Sequence, residues 1–244
     1  LAGCPGVRDN RPDVAHHRRR DNLDAATRVL DAVPRGVPVV VASSSSVYGG
    51  TRGGRPSAET DPLAPIGGYA LSKAAVEALC ADHAVAGARV TVTRPFTVAG
   101  EGQRPDMALS RWITAVRLGL PVQVYGSTDR RRDVTDVRAV AAALVGLAAL
   151  GEPGPVNVGT GTGHSLAELV AEVESAVGAP ADVHLLPAAP DEVPETLADT
   201  RRLGELLGWV PRTELRHVVR RQARAQPPVP RPAAPLVVPD VSVA

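Results

Sequence analysis

The sequence predicts an α/β protein: a doubly wound parallel sheet followed by a small C-terminal α/β region. Two segments, the apolar run Val37 to Ala42 and the β-branched stretch Arg89 to Phe96, have the length and composition of buried strands. A helical pattern from Tyr69 to His83 lies between them, which makes strand, helix and strand one crossover unit. With 244 residues and 44% hydrophobic content, the chain is long enough to build such a core.

In chain order, Leu23, Ala26, Val29, Leu30 and Val33 recur at helical spacing from Asp21 to Val33, and Pro34 with Gly36 ends that run. The strand Val37 to Ala42 carries Ser43, Ser44, Ser45 and Ser46 at its carboxyl end. A Gly/Pro-rich loop from Gly49 to Gly68 leads into the helix and second strand of the crossover. Next come a helix near Ala108 to Leu118, a short strand at Val122 to Tyr125, and an apolar stretch from Ala139 to Leu150 that reads as a buried helix. A strand at Pro155 to Val158 then runs through a glycine loop into a helix from Ser165 to Val177. Beyond Arg216 no periodicity is sustained, and the tail from Gln226 is expected to be disordered. In open α/β sheets ligands bind outside the carboxyl ends of the strands, so the serine run and the loop after Phe96 are expected to face one crevice.

Composition excludes several classes. The net charge of +1, from 27 basic and 26 acidic residues, gives no basic field for nucleic acid or an anionic membrane. The arginine clusters Arg18 to Arg20 and Arg130 to Arg132 read first as solvated faces. Cys4 and Cys80 stand far apart, with neither a disulfide framework nor a metal-ligand spacing, so no metal is expected and a reducing cytoplasm fits. The stretch Ala139 to Leu150 is shorter than the roughly 20 residues a bilayer crossing needs. The sole methionine is Met107, so a fragment, a processed product or a mis-set start is expected.

The most specific chemical signal is Tyr69 followed four residues later by Lys73, a spacing that puts phenol and ammonium on one helix face. Lys73 is the only lysine among 27 basic residues, so a compact ammonium stands where the rest of the chain uses guanidinium. A free tyrosine titrates near pH ~10, whereas a base for an alcohol proton works best near pH ~7. Closing that gap takes about 4 kcal/mol in favour of the phenolate, and an adjacent ammonium is one source.

The strand ending Ser43-Ser44-Ser45-Ser46-Val47-Tyr48-Gly49, the helix with Tyr69 and Lys73, Arg94-Pro95-Phe96 and Arg132-Asp133-Val134 resemble successive motifs of the extended short-chain dehydrogenase/reductases, the family of nucleotide-sugar epimerases and dehydratases. Leu1-Ala2-Gly3, Asn22, Val156-Asn157-Val158-Gly159 before Ser165, and Leu206 to Pro211 fit in the same order, so the resemblance covers the chain to about Leu215.

The resemblance implies a Rossmann-like sheet whose first strands, with the glycine-rich phosphate loop, lie ahead of Leu1; about 60 residues are expected to be missing. It divides the chain into residues 1–100, the C-terminal part of a Rossmann-type NAD(P)-binding domain to which later strands return, residues 101–225, mainly substrate-binding, and the tail 226–244. It also implies roles. Ser44 hydrogen-bonds the substrate's reacting oxygen, Tyr69 is the general base, and Lys73 grips the nicotinamide ribose and lowers the tyrosine's pKa. Leu1, Ala2, Pro95 and Phe96, with Ser44, Tyr69 and Lys73, line the cofactor, which is NAD or, alternatively, NADP. Thr97 and Arg132 contact the substrate, Arg132 through its phosphates, while Asn22 ties its helix to the neighbouring strand. A homodimer through the helix Tyr69 to His83 is a further expectation.

Within the family the dehydratases carry Asp and Glu where this chain has Ser45 and Ser46, which favours epimerisation of a nucleotide-sugar over water loss. Thr97 where an asparagine is common, and no arginine between Pro187 and Glu192, keep open a reductase of another carbonyl compound. A truncated, non-catalytic scaffold is the third reading. Gly159, Gly161 and Gly163 lack the spacing of the dinucleotide fingerprint, because His164 takes the place of the last glycine, so Ser165 reads as a helix cap.

Overall fold

The computed structural model describes residues 3–6, 11–188 and 192–228. Leu1, Ala2 and the tail beyond Pro228 lie outside the described residues.

The first sheet is parallel, in the order β1 (Val39–Ala42), β2 (Val90–Pro95), β6 (Gly154–Val158). Val41 stands opposite Val92, and Val92 opposite Pro155. The central strand β2 is buried from Val90 to Arg94, as expected of it. β1 is only half-buried, a correction to the expected full burial; it pairs on one side alone among the described residues.

Helices cover both faces of this sheet. On one, Leu30 of α2 (Ala25–Ala32) and Val76 and Cys80 of α3 (Gly67–Val85) pack on Val90 and Val92. On the other, Val140, Ala143 and Leu147 of α5 (Val137–Leu150) and Leu203 of α7 (Arg201–Leu207) pack on Val156 and Val158. Only that stripe of α5 is buried: Val145 is 72% exposed and Leu150 45%, so the helix is amphipathic in place although its sequence is apolar all round.

The helix read as starting at Asp21 starts earlier. α1 (Val14–Arg18) runs through a π-helical turn, Arg19–Asp24, into α2. Arg18 is buried, not solvated, whereas Arg19 and Arg20 face water. Asn22, in the π turn, accepts from the Cys4 amide at 2.8 Å and donates to the Cys4 carbonyl at 3.1 Å. That clasp ties the helix to the chain at Cys4, which lies in no strand of the described residues.

A second sheet places β5 (Arg131–Asp136) between β3 (Thr97–Ala99) and β7 (Gly163–Ser165), with β9 (Glu195–Thr196) also paired to β5. β4 (Val122–Tyr125) pairs with β8 (Val183–Leu186). The core beneath them joins α4 (Ala108–Leu118), α6 (Leu166–Val177) and α8 (Leu215–Ala225) through Ile113, Val173 and Val219. Ser165 caps α6: its hydroxyl accepts from the Glu168 amide at 3.1 Å while Glu168 accepts from the Ser165 amide at 2.6 Å, a capping box. α8 corrects the reading that periodicity ends near Arg216, for Leu215, Val218, Val219 and Gln222 form a buried stripe.

No helix of the described residues is long and apolar enough to cross a membrane. Cys4 and Cys80 are buried free thiols.

Candidate active site

Side chains alternate along a strand, and that alternation continues past the end of β1. Ser43 turns inward, its hydroxyl donating to Glu77 Oε1 at 2.5 Å in the core. Ser44 turns the other way. Its backbone is extended, and its hydroxyl accepts from the Ser46 amide at 3.2 Å, capping the short 3-10 turn Ser45–Tyr48.

The Ser44 side chain lies near that of Tyr69, on the first turn of α3. One turn on, the Lys73 ammonium lies 5.9 Å from the Tyr69 ring centroid and donates to the Ala42 carbonyl at 2.9 Å. The three residues singled out for chemistry therefore meet at the carboxyl end of β1.

Their electrostatics depart from expectation in one respect. Burial raises the Tyr69 pKa above its ordinary value, opposed by the nearby Ser44 hydroxyl and then by the charges of Arg104 and Arg18. Burial also lowers the Lys73 pKa. The protein alone thus holds Tyr69 as a phenol, not the activated base that the Tyr/Lys spacing suggests, because desolvation of the anion outweighs the charges in reach.

Of the other expected site residues, Pro95 ends β2 opposite Val158, and the Phe96 amide donates to the Val158 carbonyl at 3.0 Å. The Phe96 side chain is buried in a cluster with Val47, Tyr48 and Ala198, so it is committed to packing. Thr97 opens β3 opposite Val134, two residues along β5 from Arg132.

Arg132 is held by its own chain. Nη2 meets Glu192 Oε1 at 2.5 Å and the Val193 carbonyl at 2.9 Å, and Nη1 donates to the Pro194 carbonyl at 3.2 Å. Arg130 donates to the Glu192 and Val193 carbonyls at 2.9 and 3.2 Å, so two arginines fasten the segment 192–194.

The glycine loop after β6 wraps a carboxylate. Asp133, fully buried, accepts from the Thr160 amide and hydroxyl at 2.9 and 2.8 Å, the Gly161 amide at 3.0 Å and the Ala198 amide at 3.1 Å. A Cβ at Gly159 would stand 2.4 Å from that of Ala198 and 2.9 Å from Asp133 Oδ2, so close approach requires glycine there.

Two features escape a reading by motif. Arg104, in the loop before α4, sits in electrostatic reach of Tyr69 and is bound by Asp106 at 2.9 and 2.8 Å. Behind the site a buried network links three elements. Arg94 on β2 meets Glu77 on α3 at 2.6 Å and the Tyr48 hydroxyl at 2.7 Å, and Tyr48 donates to Asn157 Oδ1 on β6 at 2.7 Å. A signal for the network exists: Glu77 and Arg94 are opposite charges on otherwise apolar faces of adjacent elements. Arg104 has none, lying in an aperiodic loop.

Comparison with known proteins accords with this geometry. The model of the NAD dependent epimerase/dehydratase family matches residues 2–159, and the chain belongs to that family of enzymes. It is 31% identical over 223 residues to a Bacillus subtilis protein described as an uncharacterized UDP-glucose epimerase, YtcB, covering 88% of this chain and 69% of that one. To a probable UDP-glucuronate 4-epimerase of Rhizobium meliloti it is 32% identical, covering 82% of this chain and 65% of the relative. Among solved structures, MoeE5 in complex with UDP-glucuronic acid and NAD superposes with a TM-score of 0.84 at 37% identity, covering 92% of this chain and 77% of MoeE5. The UDP-glucuronic acid 4-epimerase of Bacillus cereus, also solved with UDP-glucuronic acid and NAD, gives 0.84 at 26% identity, over 92% and 73%.

Proposed function

We propose that the protein is an NAD-dependent 4-epimerase of a UDP-linked hexuronic acid, with Tyr69 as the base and Ser44 holding the reacting oxygen. The observation that carries this reading is the meeting of Ser44, Tyr69 and Lys73 at the mouth of β1, with the Lys73 ammonium 5.9 Å from the centre of the phenol ring. The donor set suits the nicotinamide end of the dinucleotide. Lys73 has three N–H donors, and the Ala42 carbonyl is the one acceptor recorded for it among the described residues, which leaves donors for the two hydroxyls of a ribose.

When bound, the nicotinamide supplies a reversible hydride acceptor and a positive charge. Tyr69 takes the proton of the sugar C4 hydroxyl while Ser44 holds the same oxygen; after the sugar turns over, Tyr69 returns the proton. Ser45 and Ser46 cannot titrate near neutral pH, so this chain lacks the acid and base for elimination at those positions. Arg104 brings a cation to the same place, suited to a carboxylate on the carbon next to C4. The relatives and structures that name or hold UDP-glucuronic acid support that substrate. Residues 1–100 with β6 would then hold the cofactor, and residues 101–225 mainly the UDP-sugar, Thr97 and Arg132 among them.

The test is to incubate the protein with NAD and UDP-glucuronic acid and follow the anomeric proton signals by NMR. Conversion to the C4 epimer is expected, with Tyr69→Phe slowing it about 10²–10⁴-fold. No epimer from UDP-glucuronic acid, together with epimerisation of UDP-glucose or net oxidation of NADH by a free carbonyl compound, would refute the assignment.

A further inference from the structure

α1 and the π turn lie across the first turn of α3, touching it at two places one turn apart. Asn22 Nδ2 donates to Ser72 Oγ at 3.0 Å, and Ser72 Oγ donates to the Tyr69 carbonyl at 2.8 Å. Four residues before each partner, Arg18 sits under Gly68: a Cβ on Gly68 would come within 2.6 Å of Arg18 Nη1. Arg18 is 8% exposed, and its Nη2 donates to the Gly6 carbonyl at 2.8 Å.

A guanidinium stays charged at any pH a protein meets, and burying one is costly. Of three consecutive arginines, the helix turns this one inward, against the residue that precedes the tyrosine. We propose that Arg18 is a positioning residue for the catalytic base: its buried charge, docked beneath Gly68, stabilises the ionised form of Tyr69. This rests on the assignment of Tyr69 as the base.

The groups around the phenol come from every element packed there. Ser44 approaches from the end of β1 and Lys73 from α3 itself; Arg104 reaches in from the loop before α4 and Arg18 from α1. Arg104 shares its charge with Asp106, and Lys73 is bound to a carbonyl. The charge of Arg18 acts on Tyr69 in the direction required, opposing burial.

The experiment is a spectrophotometric titration of phenolate absorbance in the cofactor-free protein. Three tyrosines are present, Tyr48 is pushed up to about 12 by burial, and the step lost in Tyr69→Phe identifies Tyr69. Arg18→Met is expected to move that step upward, because loss of an opposite charge disfavours the ionised form. Arg18→Lys is expected to hold it in place. Gly68→Ala, whose methyl group pushes the guanidinium aside, is expected to move it in the same direction as Arg18→Met, and it decides the matter if Arg18→Met does not fold. An unmoved step in a folded Arg18→Met protein overturns the proposal, as does an equal displacement in Arg18→Lys. Failure of the base assignment is visible separately, as undiminished turnover in Tyr69→Phe.

Discussion

Replacing Arg94 by methionine tests whether the buried network behind the site is structural. Arg94 is 4% exposed and Glu77 8%, and the guanidinium makes three contacts with the carboxylate, at 3.0, 3.2 and 2.6 Å. Methionine fills most of the volume but leaves Glu77 as an unpaired buried charge, with the Ser43 hydroxyl as its remaining donor among these contacts. Breaking a buried pair from one side costs about 3–5 kcal/mol. At about 3 °C per kcal/mol for a chain of this size, a loss of about 4 kcal/mol lowers Tm by about 12 °C. The double substitution Arg94→Met with Glu77→Leu removes both charges and leaves the Ser43 hydroxyl, the Tyr48 hydroxyl and the Glu59 carbonyl each short of one partner, at about 1 kcal/mol each. It should therefore be the more stable of the two, by about 1 kcal/mol. Urea unfolding followed by circular dichroism measures both. A loss under about 1 kcal/mol for Arg94→Met, or a double variant less stable than the single one, would show that the pair is not the unit that matters.

Arg104→Met should lower kcat/KM for UDP-glucuronic acid about tenfold or more relative to UDP-glucose, since a hydrogen bond to a charged group contributes about 1.5–3 kcal/mol; an unchanged ratio removes Arg104 from substrate recognition. Gly159→Ala should cost about 1–3 kcal/mol by overpacking against Ala198 and Asp133, read as a lower urea midpoint. Burial raises the Asp133 pKa above 3.8 despite the four donors it accepts from. The folded chain therefore binds this proton more readily than the unfolded one, and the group weakens the fold as pH rises through its folded pKa, with no penalty below the unfolded value. Asp133→Asn should flatten that part of the stability–pH curve in urea titrations while lowering stability at neutral pH by at least about 2 kcal/mol, because the NH2 that replaces Oδ2 cannot accept from the Gly161 and Ala198 amides.

The legible parts of the fold are those governed by local pattern. The β-branched stretch of β2, the helix bearing Tyr69 and Lys73, and the Ser165 cap each follow from residues close together in sequence. α8 escaped because its stripe alternates with arginines and includes Gln222, a polar residue buried by its bond to the Gly100 amide. β7 and β9 are two or three residues long and exist only through pairing with β5, so no local signal could announce them. At the site, spacing along one helix was sufficient to join Tyr69 and Lys73. The ionisation of Tyr69 was not legible, since it depends on how deeply the phenol is buried and on arginines 51 and 35 positions away in sequence.

The π turn at Arg19–Asp24 sets a rule for length variation. Such a turn holds one residue more than a turn of α-helix. Deleting a single residue there would wind it into ordinary helix and swing Asn22 away from Ser72 by about 100°, the angle between successive residues. The opposite holds at the hairpin Arg52–Arg55, where Gly53 and Gly54 have nothing within 4 Å. Insertions and deletions should thus accumulate at that hairpin tip and be purged from the π turn.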